Sequence, residues 1–326
     1  MYSRNDIDRL AANLGFVRDN MEKVVRLCAI LEFISSDAML SDALVLKGGT
    51  AINLLLTELP RLSVDVDLDF TENCGRSTML RRRKSITEKI HAFMFANGYR
   101  LMPQSKSPFS VDSWVFQYTN VAGNLDNIKI EINYSMRCHI MPLERRPILL
   151  PKYGHVEVLT LSVVELYATK TKALLERGAA RDLFDVHNMI QNHIIDDAQK
   201  DLLRKGVVFY SAVGGNEKPK EEISFEAIER IQFRQIRTSL LPVLRKGTFY
   251  DLDSVKHDVV SYLNGLLQLT EKERLFIESF ARNEYRPDLL FDDAEMVERI
   301  KEHPMAIWKT QQPPNFASGT CQIAKS

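Results

Sequence analysis

The chain has 326 residues, 45% of them apolar and 26% charged, the balance of a globular protein and not of a disordered one. Its 43 basic residues offset 43 acidic ones, which excludes a wholesale electrostatic grip on nucleic acid; any such contact has to come from a local basic patch. Cys28, Cys74, Cys138 and Cys321 lie far apart without a CxxC pair, the first residues lack a signal-peptide core, and no run approaches about 18 uninterrupted apolar residues; the expectation is a reduced, soluble, cytoplasmic protein of one large or two smaller domains, with no membrane.

Residues 4–35 carry Ile7, Leu10, Leu14, Met21, Val25, Cys28 and Leu31 at spacings of three, four and seven, predicting one or two amphipathic helices. ALVLKGG (43–49) reads as a short buried strand ending in a Gly-Gly turn, and TAINLLLTEL as a helix capped by Thr50 and stopped by Pro60. LSVDVDLDF (62–70) returns as a strand. A basic helix is predicted over 77–99, closed by Asn97-Gly98, and alternating strands over 113–119 and 127–135. From residue 160 the pattern turns helical: 161–178, 180–192, 223–237, 254–267 and further helices up to 308. Residues 213–222 read as a loop and 311–326 as a disordered tail.

Chemistry enters with the strand at 62–70. Val64, Val66, Leu68 and Phe70 alternate with Asp65, Asp67 and Asp69, so a strand stacks three carboxylates on one face, where they repel unless protons or cations neutralise them. Neighbours two apart on a strand sit roughly 7 Å apart at the backbone, a spacing at which two carboxylates can serve divalent ions in phosphoryl transfer. Glu131 offers a third carboxylate from another strand, whose other face is purely isoleucine. A Gly-Gly turn between strand and helix brings backbone N–H groups to where a phosphate can bind. It is neither GxxxxGK[ST] nor GxGxxG. The plain alternative is a sheet with one wet acidic face.

Further on, Leu166, Lys170, Ala173, Leu174 and Arg177 share one helical stripe. Lys170 is therefore either a snorkelling side chain or a functional cation among apolar neighbours. Asp182 and Asp185 share a face of the next helix. They could form a packing ion pair with the lysine. The run Arg76, Arg81, Arg82, Arg83 and Lys84 is either a solvated helix face or a patch for a phosphate backbone.

VLKGGTAINLLL, RLSVDVDLDF, IKIEINY and LYATKTKALLERGAARDLFDVH, spanning about residues 43 to 190, resemble successive motifs of the AbiEii/AbiGii nucleotidyltransferase toxins of type IV toxin–antitoxin and phage-exclusion systems. The resemblance implies an α+β nucleotidyltransferase-fold domain over 1–160, a mixed sheet flanked by helices, and a helical domain over 161–310 that supplies a lysine and an aspartate to the cleft. It implies that Gly48, Gly49 and Thr50 cradle the triphosphate of an NTP, that Asp65 and Asp67 hold Mg2+ with Glu131 as third acid, and that Lys170 contacts the phosphates. Asp185 is the implied essential acid, within the RDxxD element that also holds Arg181 and Asp182. Because the metal aspartates follow an RxS element, Asp65 and Asp67 are chosen and Asp69 is left as a bystander. The implied reaction transfers NMP to an RNA acceptor, a tRNA 3′ end, blocking translation, with a cognate antitoxin as partner; Arg81, Arg82, Arg83 and Lys84 are the candidate RNA contacts. Two alternatives stay open: an acceptor that is a small molecule or a protein, and a non-catalytic nucleotide-binding protein of the same fold.

Overall fold

The computed structural model describes residues 3–215, 219 and 222–311. Cys321 and the tail predicted from 311 onward, past that first residue, lie outside the described residues, as do 216–218 and 220–221 of the expected loop.

The chain opens with α1 (Arg4–Leu14), α2 (Arg18–Ser36) and the short α3 (Leu40–Ala43). Ser3 caps α1 by accepting from the Asp6 N–H, and Met21, Val24, Val25, Cys28 and Leu31 of α2 are all buried, as the spacing predicts. Strand β1 (Leu44–Leu46) is buried along its length and runs into α4 (Gly48–Ala51), continued by a π-turn over Ile52–Leu56. Here the sequence reading needs correction. The helix starts two residues before Thr50, Lys47 occupies the cap position, and the coil ends at Leu56, short of Pro60. Thr50 uses its hydroxyl elsewhere, donating to the Asp65 carbonyl at 2.5 Å.

Strand β2 (Asp65–Phe70) is shorter than expected, since Leu62 to Val64 are extended without pairing in the sheet. Then follow α5 (Arg76–Ala96), β3 (Arg100–Leu101), β4 (Val111–Thr119), β5 (Leu125–Asn133), β6 (Glu144–Pro147) and β7 (Glu157–Thr160). They make one seven-stranded mixed sheet in the order β3-β4-β5-β2-β1-β7-β6. In it β2 runs antiparallel to β1 and parallel to β5. The two strands at the β6 edge escaped the sequence reading because each is four residues long, and β6 (ERRP) has the charged, proline-bearing composition of a protected edge.

One sheet face is apolar: Ile128, Ile130 and Ile132 pair with Phe116, Trp114 and Asp112, and α5 lies on it through Ile86, Ile90 and Met94. His91 of α5 meets the Trp114 ring edge-on at 4.6 Å. The opposite face carries the aspartates. After the sheet come α6 (Val163–Arg177), α7 (Ala180–Gln191) and α8 (Lys200–Gly214), the last one not assigned from sequence. α6 is capped by Ser162 and ends at Gly178, within the stretch 161–178 predicted as helix. α8 packs so closely on α6 that a Cβ at Gly206 would stand 2.8 Å from that of Ala168. The single helix expected over 223–237 is broken into α9 (Glu226–Glu229), α10 (Phe233–Gln235) and a π-turn over Ile236–Leu240, ending in a 3-10 turn at Leu241–Val243 that contains Pro242. The described part closes with α11 (Leu252–Leu266), α12 (Glu271–Ala281), α13 (Ala294–Ile300) and α14 (Pro304–Thr310). None of its helices is long and apolar enough to cross a membrane.

Candidate active site

Parallel pairing sets Asp65 beside Lys129, Asp67 beside Glu131 and Asp69 beside Asn133. Asp65 and Asp67 are half-buried, whereas Asp69 is buried. Asp69 is not a spare carboxylate: the Lys47 ammonium reaches it at 2.5 Å. Lys47, overlooked in the sequence, also gives its backbone N–H to the Asp67 carbonyl at 3.0 Å, tying the glycine turn to the strand. Loss of water, then the neighbouring Asp65 charge, pushes the Asp67 carboxyl above the usual carboxylate range; Glu131 adds to this, while Lys47 and Lys170 oppose it.

The glycines are required by close approach. Gly48 has φ +71, and a Cβ there would stand 3.0 Å from the Asp67 Oδ2. A Cβ at Gly49 would be 2.5 Å from the Arg61 guanidinium and 3.2 Å from the Ser63 hydroxyl. Thr50, fully buried, gives its one hydroxyl proton to the Asp65 carbonyl and accepts from that same Ser63 hydroxyl at 2.9 Å. It braces the start of β2 and presents no hydroxyl to solvent.

The helical half contributes a chain of buried charges. Arg61 grips Asp185 with two hydrogen bonds, Nε to Oδ1 at 2.7 Å and Nη2 to Oδ2 at 2.6 Å, both side chains being at most 2% exposed. Lys170 lies 3.0 Å from Asp185 and 2.9 Å from Asp182. Arg177 donates Nε to Asp182 at 2.7 Å, with most of its side chain in solvent. Burial raises both aspartates' pKa values, but Lys170 with Arg177, and Arg61 with Lys170, overcome it: Asp182 falls to about 2 and Asp185 falls below its ordinary value. The predicted lysine and acid are thus brought together, and their first partners are one another. Arg61 was not recognised as a site residue, because only its place in the RLS element was legible. Arg181 donates to the Ser239 carbonyl at 2.8 Å. Burial, then the Arg61 charge, lowers its pKa, against the pull of Asp65.

Two of the predicted groups have partners of their own within the chain. Glu131 lies in register with Asp67, but its carboxylate is turned to the Lys129 ammonium at 2.6 Å. Among the described residues no three acidic, histidine or cysteine side chains are grouped to hold a metal ion. The basic run of α5 lies on the layer behind the sheet: Arg83 is bound to Asp112 at 2.7 Å, on the apolar face opposite the carboxylates, and Arg82 to Glu72. A cleft of about 320 Å3 on that helical side, lined by Val25, Arg26, Phe93, Tyr99 and Lys152, contains none of the sheet's aspartates.

A half-buried carboxylate pair beneath a glycine turn fits a hard divalent cation that takes one or two protein carboxylates and completes its shell with water and phosphate oxygens. Asp65 and Asp67 are the residues present for it.

The family model described as the nucleotidyl transferase AbiEii toxin of type IV toxin–antitoxin systems matches residues 31–259. The chain is similar in fold to MenT4, a nucleotidyltransferase toxin from Mycobacterium tuberculosis H37Rv, with a TM-score of 0.63, 15% identity, and 94% of this chain and 99% of that one covered. No curated protein matches the chain. By the extent of the family match, this chain belongs to the AbiEii nucleotidyltransferase toxin family.

Proposed function

We propose that this AbiEii-family chain transfers a nucleoside monophosphate from an NTP to an RNA acceptor, a tRNA 3′ end, with pyrophosphate leaving. The observation that carries the proposal is the seating of Asp67 under Gly48, so close that any side chain at the glycine would press on the carboxylate. A divalent cation, Mg2+, held by Asp65 and Asp67 would polarise the attacking hydroxyl and screen the phosphates. The chain's own groups do the rest. The turn at Gly48 and Gly49 leaves room for the triphosphate against backbone N–H groups. Arg177, exposed and near enough to feel the Asp67 charge, reaches outward to the phosphates. Lys170 is paired with Asp185, and Asp185 grips Arg61, so that the segment leading into β2 is held against α6 and α7; this is a positioning role in place of direct phosphate contact. Residues 1–160 would bind the nucleotide and 161–310 would close the site. Translation would stop once tRNA ends are blocked, and an antitoxin would be the partner that restrains this.

The test is incubation of the purified protein with α-labelled NTPs, Mg2+ and total RNA. Label is expected in RNA of tRNA size and is expected to disappear with Asp67→Ala. Label only in a small molecule or in protein would move the acceptor to another class; label in nothing, with every NTP tried, would overturn the activity itself.

A further inference from the structure

The chain is neutral overall, yet residues 230–250 hold Arg230, Arg234, Arg237, Arg245 and Lys246 and no acidic residue. All five are exposed. Arg234, Arg237 and Lys246 have no side-chain hydrogen bond or ion pair among the described residues, whereas Arg230 is held by Glu226 at 2.5 Å and Arg245 by the Glu58 carbonyl at 3.0 Å. The same stretch carries Phe233, 55% exposed, and Phe249, 89% exposed. Both rings line an open groove of about 610 Å3 with Tyr250 and Lys256. Leaving two large aromatic rings in water forfeits the gain from burying them, so an occupant that covers them is favoured.

Position says what the groove serves. The backbone of this segment is fastened to the entrance of the carboxylate strand: the Leu62 N–H donates to the Val243 carbonyl at 2.8 Å, and Arg61 bridges to Leu244. Arg181, which feels the Asp65 charge, is fastened to Ser239. The Tyr250 ring lies tilted beside Phe184 of α7, centroids 6.3 Å apart, and its hydroxyl is buried without a hydrogen-bond partner among the described residues. The groove's other wall carries Asp251 and Asp253. Asp251 is occupied in capping α11. That wall repels phosphate, so a ligand would set a base there and its backbone along the arginines.

We infer that residues 230–250 form the docking surface for a single-stranded nucleic acid, unpaired bases stacking on Phe233 and Phe249 while Arg234, Arg237 and Lys246 meet its phosphates. The inference rests on the RNA-acceptor reading above and assigns it a place, on the segment fastened to the entrance of the carboxylate strand. Stacking on aromatic rings with a basic track is how unpaired strands are held without sequence preference.

The experiment uses the full chain and a 5′-fluorescein-labelled 12-nucleotide RNA of mixed sequence, read by fluorescence anisotropy at several salt concentrations. Binding is expected for the strand alone and weaker binding for its duplex. Phe233→Ala with Phe249→Ala is expected to weaken binding about ten-fold or more at constant salt. Arg234→Glu with Arg237→Glu is expected to flatten the salt dependence. Arg81→Glu with Arg82→Glu is expected to leave both unchanged. Since all these side chains are exposed, circular dichroism should show unaltered folding. No binding of the strand, equal binding by the phenylalanine variant, or loss only with the α5 variant would overturn the inference; retained binding by the first variant would give the rings to a protein partner. Nucleotide transfer to total RNA separates the two readings: if the wild type labels RNA and the phenylalanine variant labels it equally, the surface fails and the activity stands.

Discussion

Replacing Asp185 by asparagine keeps shape and removes one charge from the most enclosed ion pair of the molecule. Arg61, 2% exposed, then loses its bidentate acceptor, and Lys170 keeps only Asp182. Breaking a buried pair on one side costs about 3–5 kcal/mol. The asparagine oxygen still accepts one hydrogen bond and Arg61 still donates to the Leu62 carbonyl, which places the expected loss near the lower end, about 3 kcal/mol. The assay is urea unfolding followed by circular dichroism, for Asp185→Asn, Arg61→Met and the double variant Arg61→Met/Asp185→Asn. The double variant should lose less than the sum of the singles by at least about 1 kcal/mol, since no uncompensated charge remains. Additive losses, or a single variant as stable as the parent, would refute the claim that these two residues act as one unit.

Three further outcomes are expected. Gly48→Ala forces a side chain into a left-handed backbone and against Asp67; it should cost about 1 kcal/mol in stability and on the order of 100-fold in NMP transfer, and a variant as active as the parent would remove the glycine from the site. Burial lifts the Glu165 carboxyl from 4.5 to about 7, so the folded chain holds a proton that the unfolded chain releases; stability should fall as pH rises from 4.5 through 7, and the slope should flatten in Glu165→Gln. Asp182, lowered from 3.8 to about 2, acts in the opposite sense: its contribution is complete above 3.8 and is lost as pH falls through 2, a loss that Asp182→Asn should remove from acid titrations.

The sequence exposed those features whose cause lies within a few residues. Period-two alternation located the aspartates of β2, and an invariant geometric need, two glycines under a strand, located the turn. The stretch 161–178 read as helical because its pattern is local, and α6 lies within it. What stayed hidden depends on partners distant in sequence. Lys47 matters through Asp69, 22 residues on, and Arg61 through Asp185, 124 residues on; each looked like an ordinary charge. Thr50 had the right residue type for a cap but is drawn into the helix by bonds to Ser63 and Asp65. Glu131 stands in register with Asp67, and its pairing with Lys129 on its own strand was not read from the sequence. The helix expected over 223–237 is broken between α9 and α10, and the chain beyond it lies against Leu62 through Val243, a contact that periodicity cannot show.

The fastening of β2 to late parts of the chain sets a timetable. Arg61 waits for Asp185, made 124 residues later, and Leu62 waits for Val243. At a synthesis rate of about 5–20 residues per second, the aspartate strand leaves the ribosome on the order of ten seconds before its anchors exist. During that interval the nascent protein carries the three strand aspartates and lacks the frame that would aim them.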